Sequence, residues 1–345
     1  SKGKKKRSEV SWKMLIAYCE RCDFIAIQEV LDDLSSLFYL REQLGDKYSV
    51  VFSDAVGAVP GRGGSPERLA FLYRNDRIKM TEMASDLSFE RSVILDVLYT
   101  DKKEFFEVFQ AREKALAELE IINAERKEQG KRKKAKPPFV LPSFVQFIRT
   151  PHTVSFEVKG KGKAQPYRFI AVNAHLLYGN KSKQRLEREM EFKALIGWIL
   201  NRAKALDRVY QPNIFLFGDL NLDFEKVDRR RKAIEKFLKS INGKERAGDA
   251  KVNFPFFNVH PTKDEVFRTN ARRNQTYDQI ALIARDKRLP PILPESSKTT
   301  ITFLRRKGSS SSKANAGRLR RGRNKKISKI NRFIRCHFDL DKKIL

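Results

Sequence analysis

Apolar runs of strand length recur along the chain and alternate with stretches of helical period. Residues 11–21 place Trp12, Leu15, Ile16 and Cys19 at helical spacing, with Ser8 or Ser11 available as the cap. The run 23–30 is β-rich and closes on Gln28, Glu29 and Val30, the pattern of a buried strand with functional groups at its C-terminal end. A second amphipathic helix is predicted over 32–44, and the Gly/Pro-rich stretch 57–66 predicts a loop. Further strands are predicted over 67–74, over 144–149 continued by 153–158, over 167–175, over 213–221 and over 277–283. Helices are predicted over 101–136, where Pro137-Pro138 ends a long charged segment, over 182–206 with Leu186, Met190, Leu195, Ile199 and Leu200 inward, and over 228–238.

This alternation reads as one α/β domain over residues 1–290, interrupted by a charged helical insertion at about 101–136. After Pro290 the character changes: 309–312 are all serine, 318–329 are very basic, and 291–345 read as a basic, low-complexity tail. With 41% hydrophobic residues the chain has material for a sizeable core, which excludes a fully disordered protein. No apolar run approaches the roughly 20 residues of a membrane-spanning helix. The basic residues 1–7 lead into a charged amphipathic segment rather than a secretory signal, so a cytoplasmic location is expected; a monomer is expected as well.

The formal charge of +30 points to a polyanionic partner, nucleic acid ahead of an anionic membrane surface. Residues 301–345 hold 15 Lys/Arg against 2 Asp, yet the rest of the chain keeps +17, so basicity is not confined to the tail. Three cysteines are too few for a disulfide framework. Cys19 and Cys22 form a lone C-x-x-C inside a helical pattern and read as thiols in a reducing compartment rather than a zinc site.

The predicted strands share a further property. Glu29, His175, and Asp219 with Asn221 stand at strand ends, while Glu67 and Asp278 stand at strand starts. One acid at a strand end is ordinary turn chemistry. A sandwich that gathers all of them on one sheet edge brings several carboxylates together, and such a cluster calls for a cation. Oxygen-rich ligands favour Mg²⁺, with Mn²⁺ or Ca²⁺ as alternatives, over zinc.

Six segments in order resemble the motifs of the endonuclease/exonuclease/phosphatase superfamily, the fold of deoxyribonuclease I. They are Gln28-Glu29, Glu67-Arg-Leu-Ala-Phe-Leu-Tyr-Arg74, Arg149-Thr-Pro151, Asn173-Ala-His175-Leu176, Gly218-Asp219-Leu220-Asn221 and Tyr277-Asp278-Gln-Ile280. The resemblance implies a four-layer sandwich of two packed mixed β-sheets flanked by helices. It implies metal binding by Glu29, a His175 oriented by Glu67, phosphate contacts from His175, Arg149 and Asn221, and an Asp219 that activates water. Asp278 would orient a second histidine. Two departures stand out. The family's opening strand, which carries a supporting Asn, is not found ahead of the first helix. The family's closing Ser-Asp-His has its nearest counterpart in Arg335-Cys336-His337, where Cys336 replaces the acid and His337 aligns with the catalytic histidine. His152 reads as a strand-end residue and His260 as a loop residue.

The function expected is a metal-dependent nuclease, an endonuclease with DNA favoured. The alternatives are a catalytically impaired nucleic-acid-binding protein of the same fold, or a phosphatase or sphingomyelinase, since fold does not fix substrate.

Overall fold

The computed structural model describes residues 7–57, 66–87, 91–137, 147–160, 162, 164–179, 182–204, 210–211, 213–222, 277–283, a few positions between 232 and 254, and the backbone of 333–336. The described helices are α1 (Glu9–Cys19), α2 (Ser35–Leu44), α3 (Arg91–Thr100), α4 (Lys102–Glu128) and α5 (Ser182–Lys204). The strands are β1 (Phe24–Leu31), β2 (Tyr48–Phe52), β3 (Glu67–Arg74), β4 (Ile78–Asp86), β5 (His152–Val158), β6 (Tyr167–His175), β7 (Ile214–Asp219), β8 (Asp278–Ile283) and β9 (Phe333–Cys336). They form a four-stranded sheet in the order β2-β3-β1-β9 and a five-stranded sheet in the order β4-β5-β6-β7-β8.

The period-2 alternation of the strands explains the layering. On β1, Phe24 and Ala26 face the second sheet, while Ile25 and Ile27 face α1 and α2. On β6 and β7, Phe169, Ala171, Phe215 and Phe217 face the first sheet, while Ile170, Val172, Ile214 and Leu216 pack under Phe192, Leu195, Ile196 and Ile199 of α5. Three cores therefore separate four layers, helix–sheet–sheet–helix, the arrangement that the motif resemblance implies. The middle core is aromatic: Phe24 meets Phe71, Phe156, Phe169 and Phe217 at ring separations of 4.9 to 5.7 Å, the spacing at which edge and offset contacts are favourable.

Several expectations are corrected. The apolar run 144–149 does not make a strand where it is described: residues 148 and 149 form a bend, and β5 starts after Pro151, which has no N–H to give a ladder. The helical insertion stops at Glu128, well before Pro137, because Gly130 turns with φ +63°; the basic run after it is not helical. Leu186, expected inward, is exposed on α5. α3 and the strands β2 and β4 lacked a clear signal. Within the segment read as a basic tail, Phe333–Cys336 form a short strand beside β1 in the first sheet. Among the described residues no helix is long and apolar enough to cross a membrane.

Candidate active site at the seam between the sheets

The strand ends singled out by the sequence meet at one end of the sandwich. Leu31 pairs with Glu67, which places the end of β1 beside the start of β3. His175 pairs with Asp219, and Asp219 with Asp278, across β6, β7 and β8.

Glu29 owes its direction to a bulge. Ile27 pairs with Ala70 and Val30 with Arg68, so Gln28 and Glu29 together oppose one residue of β3. Glu29 adopts φ +58°, a left-handed conformation that side chains with a Cβ rarely take and that persists where the surroundings over-determine it. Those surroundings are supplied by Asn173, fully buried on β6. Its Nδ2 donates to the carbonyls of Ile27 and Ala70, both at 3.0 Å, and its Oδ1 accepts from Gln28 Nε2 at 2.5 Å. One amide thus ties the second sheet to both strands of the first at the bulge.

His175 is nearly fully buried, with Nδ1 2.9 Å from Glu67 Oε1 and Nε2 4.0 Å from Asp219 Oδ2. The first is a contact distance without hydrogen-bond alignment. Burial pushes the imidazole down to about 4; Asp219 and Asp278 oppose this and Arg149 adds to it. The ring is therefore neutral in the free site at neutral pH. Arg149 Nε also contacts Glu67 Oε1, and Nη1 lies 3.4 Å from the Leu176 carbonyl. Gly57, at φ +98°, passes so close that a Cβ there would lie 3.1 Å from Arg149 Cγ.

Asp219 and Asn221 form a compact turn. Asn221 N donates to Asp219 Oδ1 at 3.1 Å, and Asn221 Nδ2 to the Leu176 carbonyl at 2.9 Å. Like Glu29, Asn221 is a non-glycine residue with positive φ, at +50°. Among the described residues, Glu29, Glu67 and His175 offer ligand atoms within 4.8 Å of one another. Of these three, Glu67 also faces Arg149, and carboxylate oxygens are donors that could hold a divalent cation. His337 and His260 lie outside the described residues. His152 starts β5 instead, with Nδ1 2.8 Å from Asp86 Oδ1.

Sequence reasoning missed Glu191. It is buried on α5 and accepts from the backbone N–H of Ile148 at 2.7 Å and of Leu177 at 2.8 Å. One carboxylate thereby holds the residue before Arg149 and the second residue after His175. Burial pushes it up to about 7 against the pull of those two N–H donors. The only signal was a glutamate on the inward face of an amphipathic helix.

No family model matches the chain, and no curated protein matches it. Among solved structures it is similar to the human Nocturnin catalytic domain with bound sulfate, at 13% identity over 81% of this chain and 77% of that one, with a TM-score of 0.43. It is similar to a truncated Caenorhabditis elegans TDP2 at 14% identity over 80% and 77%, with a TM-score of 0.41. It is also similar to an endonuclease/exonuclease/phosphatase family protein from Bacteroides thetaiotaomicron at 14% identity over 79% and 73%, with a TM-score of 0.37. At these identities and TM-scores the likenesses assign no residue of this chain a role.

Proposed function

We propose that the chain is a metal-dependent phosphoesterase of the endonuclease/exonuclease/phosphatase superfamily that hydrolyses nucleic-acid phosphodiesters, DNA favoured. The observation that carries this reading is the meeting of Glu29, Glu67, His175, Arg149, Asp219 and Asn221, motif residues far apart in sequence, at one end of the sandwich. Glu29 would hold the cation, which when bound supplies a Lewis acid for the charge that builds on phosphate oxygens. Asp219 takes the proton from the attacking water, with Asn221 fixing its carboxylate through the backbone bond. Arg149 and His175 Nε2 bind the non-bridging oxygens. An anionic phosphate beside Nε2 would favour the protonated ring.

The test is nicking of supercoiled plasmid with Mg²⁺ and with EDTA. Mg²⁺-dependent nicking is expected, reduced at least about a hundredfold in Asp219→Ala, the scale of general-base removal. Glu29→Gln should weaken Mg²⁺ binding in calorimetry. Equal metal affinity in both proteins sinks the assignment. The second reading, a nucleic-acid binder with impaired chemistry, is favoured by one observation: β9 brings Phe333, not Cys336, to the end of β1 nearest Glu29. DNA binding without nicking would select it.

A further inference from the structure

The basic run after α4 is held in place rather than trailing from it. Lys131 N donates to the Arg126 carbonyl at 2.7 Å, and Arg126 Nε donates to the Arg132 carbonyl at 2.7 Å. Asn123 then grips one residue twice: its Oδ1 accepts from Lys134 N at 2.7 Å, and its Nδ2 donates to the Lys134 carbonyl at 3.3 Å. Arg112 reaches the Pro137 carbonyl. Residues 131–137 therefore double back along α4, from Arg126 past Asn123 toward Arg112. They lie against the helix stripe that contains these three half-buried residues.

The helix spends its polar side chains on the backbone of this strap and leaves the strap's cations outward. Lys131, Arg132, Lys133, Lys134 and Lys136 are all exposed. α4 carries seven glutamates, yet among the described residues none pairs with any of these five cations; Lys131 Nζ meets only the neutral Gln129 amide at 2.8 Å. Helix and strap divide the charge: 102–128 hold six Lys/Arg against seven Glu, and 131–136 hold five cations and no acid. The insertion is rooted at the active-site end of the second sheet. It leaves after Asp86, which pairs with His152, and Leu87 N bonds the Pro151 carbonyl. Arg149 lies twelve positions after Pro137 in the sequence.

We propose that the strap 131–136, fixed on α4, is a binding track for the phosphate backbone of the nucleic acid on which the active site acts. It rests on the proposed function only for its substrate class. A linear row of cations suits a linear polyanion, whereas a lipid surface would call for apolar residues beside the charges, and within the run only Ala135 is uncharged. Because the backbone is already ordered, its conformational entropy is not charged to binding.

The experiment uses the full chain, a fluorescent 30-nucleotide single-stranded DNA and titrations at several salt concentrations. Replacing the five cations by Gln is expected to raise Kd at least about tenfold and to flatten the salt dependence, by roughly 0.7 in slope for each phosphate no longer neutralised. Asn123→Ala leaves every charge in place and should weaken binding by a smaller factor, with circular dichroism confirming that α4 remains. Hydrolysis of bis(p-nitrophenyl) phosphate, too small to span the strap, reports the active site separately. Unchanged Kd and slope in the five-residue variant overturn the proposal. So does loss of binding to phosphatidylserine vesicles with DNA binding intact. Loss of DNA binding in the five-residue variant with none in Asn123→Ala reduces the strap to diffuse charge and also overturns it. A strap effect on DNA with no diester hydrolysis by the wild type leaves the track standing and removes the nuclease reading.

Discussion

Glu191 shows how a single buried acid can set both geometry and pH response. Its two oxygens accept from two backbone N–H groups that have no other acceptor among the described residues, so removing them strands buried donors at roughly 1–3 kcal/mol each. Its proton is held more tightly in the folded protein, near 7, than in the unfolded chain, near 4.5. Its contribution to stability is thus fully present below about 4.5 and is lost as pH rises to about 7, by roughly 3 kcal/mol. Glu191→Gln cannot ionise. Urea unfolding at pH 5 and pH 8 should show a smaller pH-dependent loss in Glu191→Gln than in the wild type. Equal losses would mean that the carboxylate is ionised throughout. The residue was hard to find from sequence because burial of an acid is a tertiary fact. Glu29, Glu67, His175, Asp219 and Asn221 were legible because each closes or opens an apolar strand.

At the scale of elements, a backbone contact constrains how β6 and β7 pair. They run parallel, joined through α5, and Gly218 faces Ala174 across the ladder. A Cβ at Gly218 would lie 2.5 Å from the Ala174 carbonyl oxygen, which is backbone and cannot swing aside. Gly218→Ala should cost about 1–3 kcal/mol, the range of overpacking, and should lower turnover because Asp219 is the next residue. Gly197 on α5 is the control: a Cβ there meets nothing within 4 Å. Gly197→Ala should stabilise by up to about 1 kcal/mol through helix propensity. Denaturant midpoints moving in the same direction for both would refute this contrast. The buried strands β1, β3, β6, β7 and β8 were readable as apolar runs. β4 was not, because its exposed outer half, Glu82 to Asp86 with Met83 half-buried, looks like a surface segment. Nor was the end of α4: Pro137-Pro138 is the louder breaker in the sequence, but Gly130 acts first.

For the molecule as a whole, charge governs encounter more than fold. Residues 301–330 contribute 11 Lys/Arg and no acid. Nucleic-acid binding should weaken steeply with salt as counterions are displaced. Deleting 301–330 should make that dependence shallower while the same bond is cleaved. A slope near zero in the intact chain would point to a small phosphorylated substrate. The strands and amphipathic helices were legible in the residue pattern and their four layers only through the motif resemblance, whereas the pairing of β9 with β1 was not legible, since four residues in a basic tail carry almost no periodic signal.

The Asn173 amide has a consequence for how the protein fails. It spans the gap between two sheets whose own ladders do not depend on it, and it fixes the backbone that aims Glu29. A small sliding of one sheet over the other would leave helices and strands intact while spoiling the aim of Glu29. Hydrolytic activity should therefore decay at lower denaturant than far-ultraviolet dichroism, and Asn173→Ala should widen that interval. Coincident loss of the two signals in the wild type would show instead that the sheets part only when the whole protein unfolds.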